Sequence, residues 1–431
     1  MAQFTPFAGL RYNTEKVALA AAIAPPYDII KGKMRDELIA RSEYNVVRVE
    51  LPEGENDEKY DEAARLLQQW RDEGVLLLDS PIYYCYEQEF QVPDSGETKK
   101  RRGVLGALRL EEFGEGVQPH EHTLSGPKQD RLQLLRATQT NTSPIFGLYN
   151  DNDGWATALL NNVCLNTPLC EATDADGIIH RLWKVGDDET VNAIEAALED
   201  ESVLIADGHH RYETALNYSK ECQAEVEKAG GRWTGAEGAN HVLMMCVSTL
   251  DEGLIVLPTH RLIKNVDEAK IANLPAALAE FFEVEPLTEV GSDALLKTLE
   301  KEGKGRLGLR IAGRSYALGL KEDSEYCSAQ EEGRSEAYNA LDVSILHRLI
   351  LERELGIGPT ELAAGNHVAY TIAAAEAFRQ VENGDAQAAF LMRSTPVAQV
   401  QEVAAAGDKM PQKSTYFYPK LMTGMVLRPL D

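Results

Sequence analysis

The alternation of apolar and polar residues along the chain predicts short strands interleaved with amphipathic helices. Residues 82–92 and 102–110 are typical of two strands, and the turn-rich connection at 93–96 favours a hairpin. Residues 57–73 predict a helix because their apolar positions recur at helical spacing. Those positions are Ala63, Leu66, Leu67 and Trp70.

A change of periodicity occurs around residue 207. Residues 202–206 are short and mostly apolar, as in a buried strand, whereas residues 212–228 have the pattern of an amphipathic helix. The polar residues between them therefore lie where a strand passes into a helix. These residues are Asp207, Gly208, His209, His210 and Arg211.

The second half of the chain continues the mixture of strands and helices. Residues 241–250 and 254–263 are typical of two strands, and their three-residue link predicts antiparallel pairing. Residues 266–331 have a helix, strand, helix, strand, strand pattern, which predicts an inserted α/β subdomain. Residues 1–265 and 332–431 are predicted to form the main α/β domain, a mixed α+β unit around a mixed sheet.

Further elements follow from the same periodicities. Helices are predicted at 129–139, 340–354 and 397–406, and strands at 146–149, 388–392 and from near residue 421.

Composition excludes several classes of partner. The 431 residues are enough for two or three compact units, and 69 acids against 43 bases give a net charge of −26. This charge opposes attraction to nucleic acid and to anionic membranes. No apolar run reaches the roughly 18 residues of a membrane span. The six cysteines form no CxxC pair, so we expect buried free thiols and a cytoplasmic location.

The strand-to-helix loop at 207–211 has the chemistry of an anion site. Backbone N–H groups at a helix N-terminus attract phosphate, and Gly208 would let the backbone approach a ligand closely. Arg211 adds a fork of donors for phosphate or carboxylate oxygens. The alternative is that Asp207 only caps the helix and the histidines are surface residues. A zinc site is disfavoured because His209 and His210 are neighbours rather than four residues apart.

A second polar loop contains His120, Glu121, His122 and Thr123, followed by Lys128, Asp130 and Arg131. So many ionisable side chains on one loop suit proton exchange or anion binding. A polar surface loop is the alternative. His120 and His122 could share a metal, but no third ligand is identifiable nearby.

A third candidate lies near the C-terminus, at residues 410–420, with a weaker fourth at Arg261. Two lysines, two hydroxyls and two tyrosines could hold phosphate and position a hydroxylated substrate, although an irregular packing segment is the alternative. The main domain is predicted to bring these loops around one pocket. The C-terminal candidates are Lys413, Ser414, Thr415, Tyr418 and Lys420.

Motifs of other enzyme classes are missing from the sequence. No GxGxxG opens a helix after a strand, residues 303–305 lack the rest of a Walker loop, and there is no GxSxG elbow. These patterns argue against a dinucleotide-binding Rossmann unit, a P-loop nucleotide site and an α/β-hydrolase.

Six ordered motifs extend over nearly the whole chain, and they are Pro25-Pro26-Tyr27-Asp28, His120-Glu121-x-Thr123, residues 143–149, 206–216, 258–261 and 411–420. Taken together, they resemble the prokaryotic family catalogued as domain of unknown function 1015. More loosely, the loop at 207–211 with its following helix is similar to the phosphate-binding loop of the ParB and sulfiredoxin superfamily, which includes kinases of free serine. Some relatives of the family are pyrophosphate-dependent serine kinases, and the resemblance implies a ParB/sulfiredoxin-like sheet.

Two differences between this chain and that superfamily argue against two of the superfamily's activities. Sulfiredoxin chemistry would need a cysteine in the loop, and positions 207–211 contain none. DNA partitioning would need a helix-turn-helix and a basic surface, neither of which is evident in this acidic chain. Phosphorylation of a small molecule is the function that the resemblance favours.

The leading hypothesis is a Mg²⁺-dependent kinase of free L-serine that uses pyrophosphate or an adenine nucleotide as donor. Loop N–H groups, Arg211 and Lys413 would hold the donor, with Mg²⁺ bridging its phosphates and Asp207 as the candidate ligand. Glu121 is the first choice for the base that takes the hydroxyl proton, and Asp28 is the second. His209 or His210 would stabilise the transferring phosphoryl group.

Other residues complete the hypothesis, and two alternatives stay open. A regulatory protein could bind a nucleotide or phosphometabolite without turnover, and a hydrolase could use the histidines on a phosphate ester. Additional phosphate-binding candidates are Gly208, Arg261, Ser414, Thr415 and Lys420, and substrate-binding candidates are His120, Arg131 and Tyr418.

Overall fold

A computed structural model describes residues 3–54, 56–93, 95–114, 116–121, 125–199, 201–288, 291–322 and 333–430, with side chains of 125–127 left out. The chain forms two compact units, each made of more than one segment. The first unit comprises Met1–Pro119, Thr123–Ile255 and Pro419–Asp431, and the second comprises His120–His122 and Val256–Tyr418. Both combine helices with a sheet, which confirms the predicted mixed α/β class.

The described part of the first unit is built on a nine-stranded mixed sheet. Strand Val203–Asp207 runs parallel to one neighbour and antiparallel to the other, so parallel and antiparallel ladders meet beside the loop at 207–211. In spatial order the strands are Val117–Pro119, Val203–Asp207, Ile145–Tyr149, His241–Ser248, Thr98–Arg109, Tyr83–Gln91, Ile179–Val185 and Cys170–Thr173, with Phe4–Thr5 beside Thr98–Arg109.

The predicted hairpin of the first unit is confirmed. Strands Tyr83–Gln91 and Thr98–Arg109 pair antiparallel. Both carry apolar side chains that pack into the core, where Tyr83 and Val104 are fully buried. Short pairs join Leu10–Tyr12 to Leu76–Leu78 and Thr140–Asn141 to Arg428–Pro429.

Helices cover the sheet of the first unit, and their apolar faces follow the predicted periodicity. In helix Glu58–Asp72, three of the four predicted apolar positions, Ala63, Leu67 and Trp70, are buried. The other helices are Leu19–Ala22, Met34–Arg41, Val47–Glu50, Ser125–Thr138, Trp155–Val163, Asp188–Glu199 and His209–Lys228, with a 3₁₀ turn at Gly238–Asn240.

The second unit is organised around a six-stranded sheet in which every described pairing is antiparallel. In spatial order the strands are Phe282–Leu287, Arg314–Leu320, Leu307–Ile311, Ala388–Leu391, His260–Ile263 and Val368–Thr371, with Tyr416–Tyr418 outside this sheet. Its helices are Glu268–Leu278, Ser292–Leu299, Glu336–Asn339, Asp342–Ile345, Pro359–Ala364, Ala374–Glu382 and Val397–Ala405, and Leu346–Leu355 is a π-helix.

The second unit is larger than the subdomain predicted at residues 266–331. Three strands of that segment share one sheet with strands from both sides of it, and the hydrogen bonds between Leu307–Ile311 and Ala388–Leu391 join them. The unit therefore extends over 256–418, together with residues 120–122. Long-range strand pairing determines this boundary, and local periodicity does not report it.

The antiparallel pair predicted for 241–250 and 254–263 was wrong. Strand His241–Ser248 uses both of its edges, one for Thr98–Arg109 and the other for Ile145–Tyr149. The predicted second strand is divided into Ile255–Leu257 and His260–Ile263, and the latter belongs to the sheet of the second unit. The strand predicted from residue 421 lies instead at Tyr416–Tyr418.

Two other sequence expectations can be compared with the described residues. None of their helices has the length and apolar character required to cross a membrane. Of the cysteines, Cys85 and Cys246 are buried free thiols, and Cys164, Cys170 and Cys222 are half-buried ones. Cys327 lies outside the described residues.

Candidate functional site

The loop at 207–211 lies at the start of a long helix, as the sequence predicted. The register of strand Val203–Asp207 against strand Ile145–Tyr149 shifts between Ile205 and Asp207, which pairs with Phe146. Gly208 follows in the left-handed conformation (φ 94°), and helix His209–Lys228 begins directly after it without a side-chain cap. The N-cap residue Gly208 has no side chain of its own, and the positive end of the dipole of this 20-residue helix lies at the loop.

The Asp207 carboxylate forms ion pairs with two basic side chains. Its Oδ1 accepts a hydrogen bond from Lys420 Nζ at 2.6 Å, and its Oδ2 accepts one from Arg211 Nη2 at 2.9 Å. Burial alone raises the pKa of Asp207, but the charges of Lys420 and Arg211 outweigh burial and hold this pKa well below its usual range. The carboxylate is therefore ionised at neutral pH and fixes both cations beside the helix start.

Gly208 allows this arrangement for two separate reasons. Its φ of +94° is unfavourable for other residues, and a Cβ at this position would lie 2.9 Å from Arg211 Nη2. We expect Gly208→Ala to displace Arg211 and to weaken binding of pyrophosphate at least about tenfold, besides costing about 1–3 kcal/mol of stability. Titration calorimetry and urea unfolding measure the two effects.

Gly230 supplies the matched control at the other end of the same helix. It also has a positive φ, +78°, but no atom lies within 4 Å of a Cβ built on it. Gly230→Ala should lose a similar amount of stability and keep its affinity for pyrophosphate. Equal affinities of the two variants would contradict the role given to Gly208.

Buried residues on the central hairpin hold Lys420. Gln88 Nε2 donates to the carbonyl of Lys420 at 2.9 Å, and Arg101 Nη2 donates to the carbonyl of Pro419. Both side chains are fully buried, and the Arg101 guanidinium lies 4.5 Å from the centre of the Phe146 ring. Sequence reasoning missed them. The only feature of the sequence that could have identified these two residues is a long polar side chain at an inward position of each strand.

A small cavity of about 50 Å³ adjoins the loop. Arg131, a predicted substrate-binding residue, lines it and donates to the backbone carbonyl of Glu50 at 2.6 Å. The Glu50 carboxylate lies 3.3 Å from the same guanidinium and accepts the Thr142 hydroxyl. Arg211 also lines this cavity. Glu50 was absent from the sequence hypothesis because it lies in the short helix Val47–Glu50, far from every motif.

Tyr27 and Asp28 belong to the same electrostatic environment. The ring of Tyr27 lies 4.6 Å from the Arg131 guanidinium. Burial raises the pKa of Tyr27, Arg211 and Arg131 lower it, and Asp28 and Glu50 raise it. The pKa of Tyr27 therefore depends both on the charge of Arg211 in the loop and on the charge of Asp28. Asp28 itself is exposed.

The two histidines occupy the first turn of the helix. His209 is buried (7% exposed) and His210 is half-buried. The charge of His209 also contributes to lowering the pKa of Asp207. Their backbone N–H groups are among the donors of the helix start.

In the second unit, the predicted His-Glu loop and the loop at 410–418 do meet. His120 Nε2 lies 2.9 Å from the Thr415 hydroxyl, and the Met410 N–H donates to the His120 carbonyl at 2.7 Å. Glu121 accepts the Lys413 N–H at 3.2 Å, and Arg261 donates to the Lys413 carbonyl at 3.0 Å. His122 and Thr123 lie outside the described residues.

The predicted site residues are thus distributed over both units. Lys413, Ser414, Thr415 and Tyr418 belong to the second unit, whereas Lys420 belongs to the first. Lys413 is exposed, and the Ser414 hydroxyl donates to the Pro411 carbonyl. A single pocket formed by all the loops stays a prediction.

His260 in the second unit should make stability depend on pH. Burial lowers its pKa to about 4, and its Nδ1 accepts the Met392 N–H at 3.1 Å. The unfolded chain therefore binds a proton first, and stability falls as the pH drops from about 6.5 towards 4. Between pH 7 and pH 5 we expect the wild type to lose about 2 kcal/mol more than His260→Asn, which keeps an acceptor. Urea unfolding followed by circular dichroism tests this, and equal losses would contradict it.

The candidate metal ligand does not fit its predicted role in this arrangement. Both oxygens of Asp207 are paired with cations, which would have to leave before a metal could bind. Within the described residues, no group of three or more His, Cys, Asp or Glu side chains is placed to hold a metal ion.

Comparisons with solved structures give weak overall likenesses. A conserved hypothetical protein from Pyrococcus furiosus is 14% identical, with 73% of this chain and 94% of that chain covered and a TM-score of 0.34. A mutant free serine kinase in complex with AMP is 12% identical, with 72% and 89% covered and a TM-score of 0.36. C-terminally truncated SbnI from Staphylococcus aureus is 8% identical, with 74% and 87% covered and a TM-score of 0.32. Scores this low carry no argument about function.

Sequence families give a firmer result. A search of curated proteins found no match. The family model described as "Protein of unknown function (DUF1015)" matches residues 4–344 and so contains the motifs at Tyr27, His120 and Asp207. This match confirms the resemblance to that family for residues 4–344, and the motif at 411–420 lies beyond the matched residues. Because it spans well over half of the 431 residues, the chain belongs to the DUF1015 family.

Proposed function

We propose that this protein is a small-molecule phosphotransferase whose loop at 207–211 holds the phosphates of the donor. A kinase of free L-serine with pyrophosphate or an adenine nucleotide as donor is the specific form of the proposal. The observation that carries it is the cluster at the start of helix His209–Lys228, where Asp207 fixes Arg211 and Lys420 beside the positive end of the helix. Fixed cations and the N–H groups of a helix start together match phosphate oxygens.

Donor binding would use groups that are already in position. The N–H groups of the first helical turn point away from the helix along its axis, and their partial positive charge favours an anion. Arg211 also donates to the Pro144 carbonyl at 2.6 Å, so its guanidinium is oriented before the ligand arrives. Such preorganisation reduces the entropy lost on binding.

The acceptor requires a base. Asp28 is now the first choice because it is exposed, shares the first unit with the loop, and acts on Tyr27 together with Arg211. Glu121 stays the alternative, although its carboxylate holds the Lys413 N–H. The base would take the proton of the serine hydroxyl, whose oxygen would form a bond to the phosphorus while the bond to the leaving phosphate breaks.

In this proposal, Mg²⁺ binds to the protein together with the donor. Bound to the donor phosphates, it would neutralise charge on the transferring group. No step is assigned to a metal on Asp207, since that carboxylate is paired with Lys420 and Arg211. Arg211, Lys420 and the helix start supply the positive charge of the protein itself.

The two candidate bases can be separated by substitution. We expect Asp28→Asn to reduce phosphoserine formation about 10²–10⁴-fold with little change in donor affinity, because general-base catalysis contributes this much. Glu121→Gln should have a smaller effect. Loss of activity in Glu121→Gln with normal activity in Asp28→Asn would reverse the assignment.

Mass spectrometry of the products tests the function itself. The wild type is incubated with Mg²⁺, L-serine and either pyrophosphate, ADP or ATP. Phosphoserine would support the kinase, and free phosphate without phosphoserine would favour the hydrolase. An unchanged donor that nevertheless binds would favour a regulatory protein without turnover.

A further inference from the structure

A polar cavity of about 230 Å³ lies wholly within the second unit. Its volume is just below the range of about 300–1,000 Å³ typical of small-molecule sites. The side chains that matter for its chemistry are Thr259, Arg261, Asp342, Arg393 and Gln399.

Arg261 is a buried cation that forms no ion pair with a carboxylate of the described residues. It is only 1% exposed, and its guanidinium donates to the backbone carbonyls of Thr259 and Lys413. Its Nε has no hydrogen-bond partner among the described residues, and burial lowers its pKa to about 10 despite the opposing charge of Glu121. A buried charge whose near neighbours are carbonyls and the Tyr370 ring is costly unless an anion compensates for it.

A second unpaired group lines the same cavity. The Thr259 side chain is 5% exposed, and its hydroxyl has no partner among the described residues. A buried hydroxyl without a partner is uncommon in native proteins and is explained most simply by a ligand or water that is absent from the protein atoms. Thr259 and Arg261 therefore point to the same missing acceptor.

Helix Val397–Ala405 starts at the wall of this cavity. Pro396 and Gln399 line the cavity, and no side chain caps the helix N-terminus at Pro396. The positive end of this nine-residue helix adds to the charge of Arg261. The remaining charges largely cancel, because Arg393 pairs with Asp342 at 2.7 Å.

We propose that this cavity binds the oxyanion group, a phosphate or a carboxylate, of a small metabolite. Arg261 would balance the charge, the Thr259 hydroxyl would donate a hydrogen bond to one oxygen, and the positive end of helix Val397–Ala405 would attract the anion. The residues of this site belong to the second unit alone, and the proposal holds whether or not the loop at 207–211 transfers phosphate. The limited volume suits inorganic phosphate or a short carboxylic acid rather than a nucleotide.

Gln399→Glu tests the proposal without disturbing the fold. A carboxylate in the first turn of a helix is stabilising, but at the wall of the cavity it would repel an anion. Gln401→Glu is the matched control, since it adds the same charge on the same helix at a residue that does not line the cavity. Arg261→Gln is a second variant, whose folding is checked by circular dichroism.

Calorimetric titration with inorganic phosphate and with succinate distinguishes the two chemistries. All variants are combined with Arg211→Ala, so that binding of phosphate at the loop is weakened and contributes equally to every titration. We expect at least one ligand to bind, with affinity reduced tenfold or more by Gln399→Glu and unchanged by Gln401→Glu. If neither ligand binds, or if both variants bind equally well, the proposal is overturned.

Discussion

Arg211→Ala is expected to weaken binding of pyrophosphate by at least about 30-fold while the protein stays folded. The loss corresponds to about 2 kcal/mol, the lower end of what removal of one partner from a buried charge-assisted contact costs. The fold should persist because Asp207 keeps its 2.6 Å hydrogen bond to Lys420 after Arg211 is removed. Titration calorimetry gives the affinity, and circular dichroism gives the folded state.

Lys228→Ala is the control for this experiment. Lys228 is the last residue of the same helix, so its removal changes the net charge equally at the opposite end. Its affinity for pyrophosphate should equal that of the wild type. Retained affinity in Arg211→Ala would remove Arg211 from the site.

Arg131→Met is expected to destabilise the first unit by about 3–5 kcal/mol. Glu50 is only 1% exposed, and this substitution would leave its carboxylate with the Thr142 hydroxyl as its described partner. An uncompensated buried charge is the reason for the large effect. All four tryptophans, Trp70, Trp155, Trp183 and Trp233, lie in the first unit, so their fluorescence during urea unfolding reports this change.

Arg136→Met is the matched control on the same helix. Its guanidinium pairs with Glu221 at 2.7 Å, but both side chains are about 40% exposed. Exposed ion pairs contribute about 0–1 kcal/mol, so this variant should unfold nearly as the wild type does. Equal destabilisation by the two substitutions would show that burial of the Glu50 pair does not matter.

Local sequence patterns predicted the helices and strands that depend only on residues close together in the sequence. The helix at 58–72 and the hairpin of Tyr83–Gln91 with Thr98–Arg109 follow from periodicity and turn residues. The connection between strand and helix could be predicted at Gly208, because few other residues adopt its left-handed conformation. The position of the loop at 207–211 at a helix start therefore follows from the residues on either side of it.

Features that depend on distant strands could not be predicted in this way. Strand His241–Ser248 pairs with Thr98–Arg109 and Ile145–Tyr149 rather than with the strand that follows it. The wider second unit likewise depends on pairing between Leu307–Ile311 and Ala388–Leu391. Periodicity indicates that a strand exists, but it does not identify the partner.

The candidate site shows the same division. Asp207 and Arg211 were found because they lie in one motif, whereas the contact of Asp207 with Lys420 joins residues 213 positions apart. Arg101 and Glu50 were missed because each supports the site from an element without a motif of its own. The sequence alone does not show that these two charged side chains are buried, or which residues they contact.

Backbone amide NMR with pyrophosphate tests the central claim most directly. The deuterated, ¹⁵N-labelled protein is titrated while the amide signals of His209, His210 and Arg211 are followed. Phosphate held at the helix start should shift these signals strongly and leave the amide of Lys228 unchanged. Binding of pyrophosphate without a shift at residues 209–211 would contradict the account.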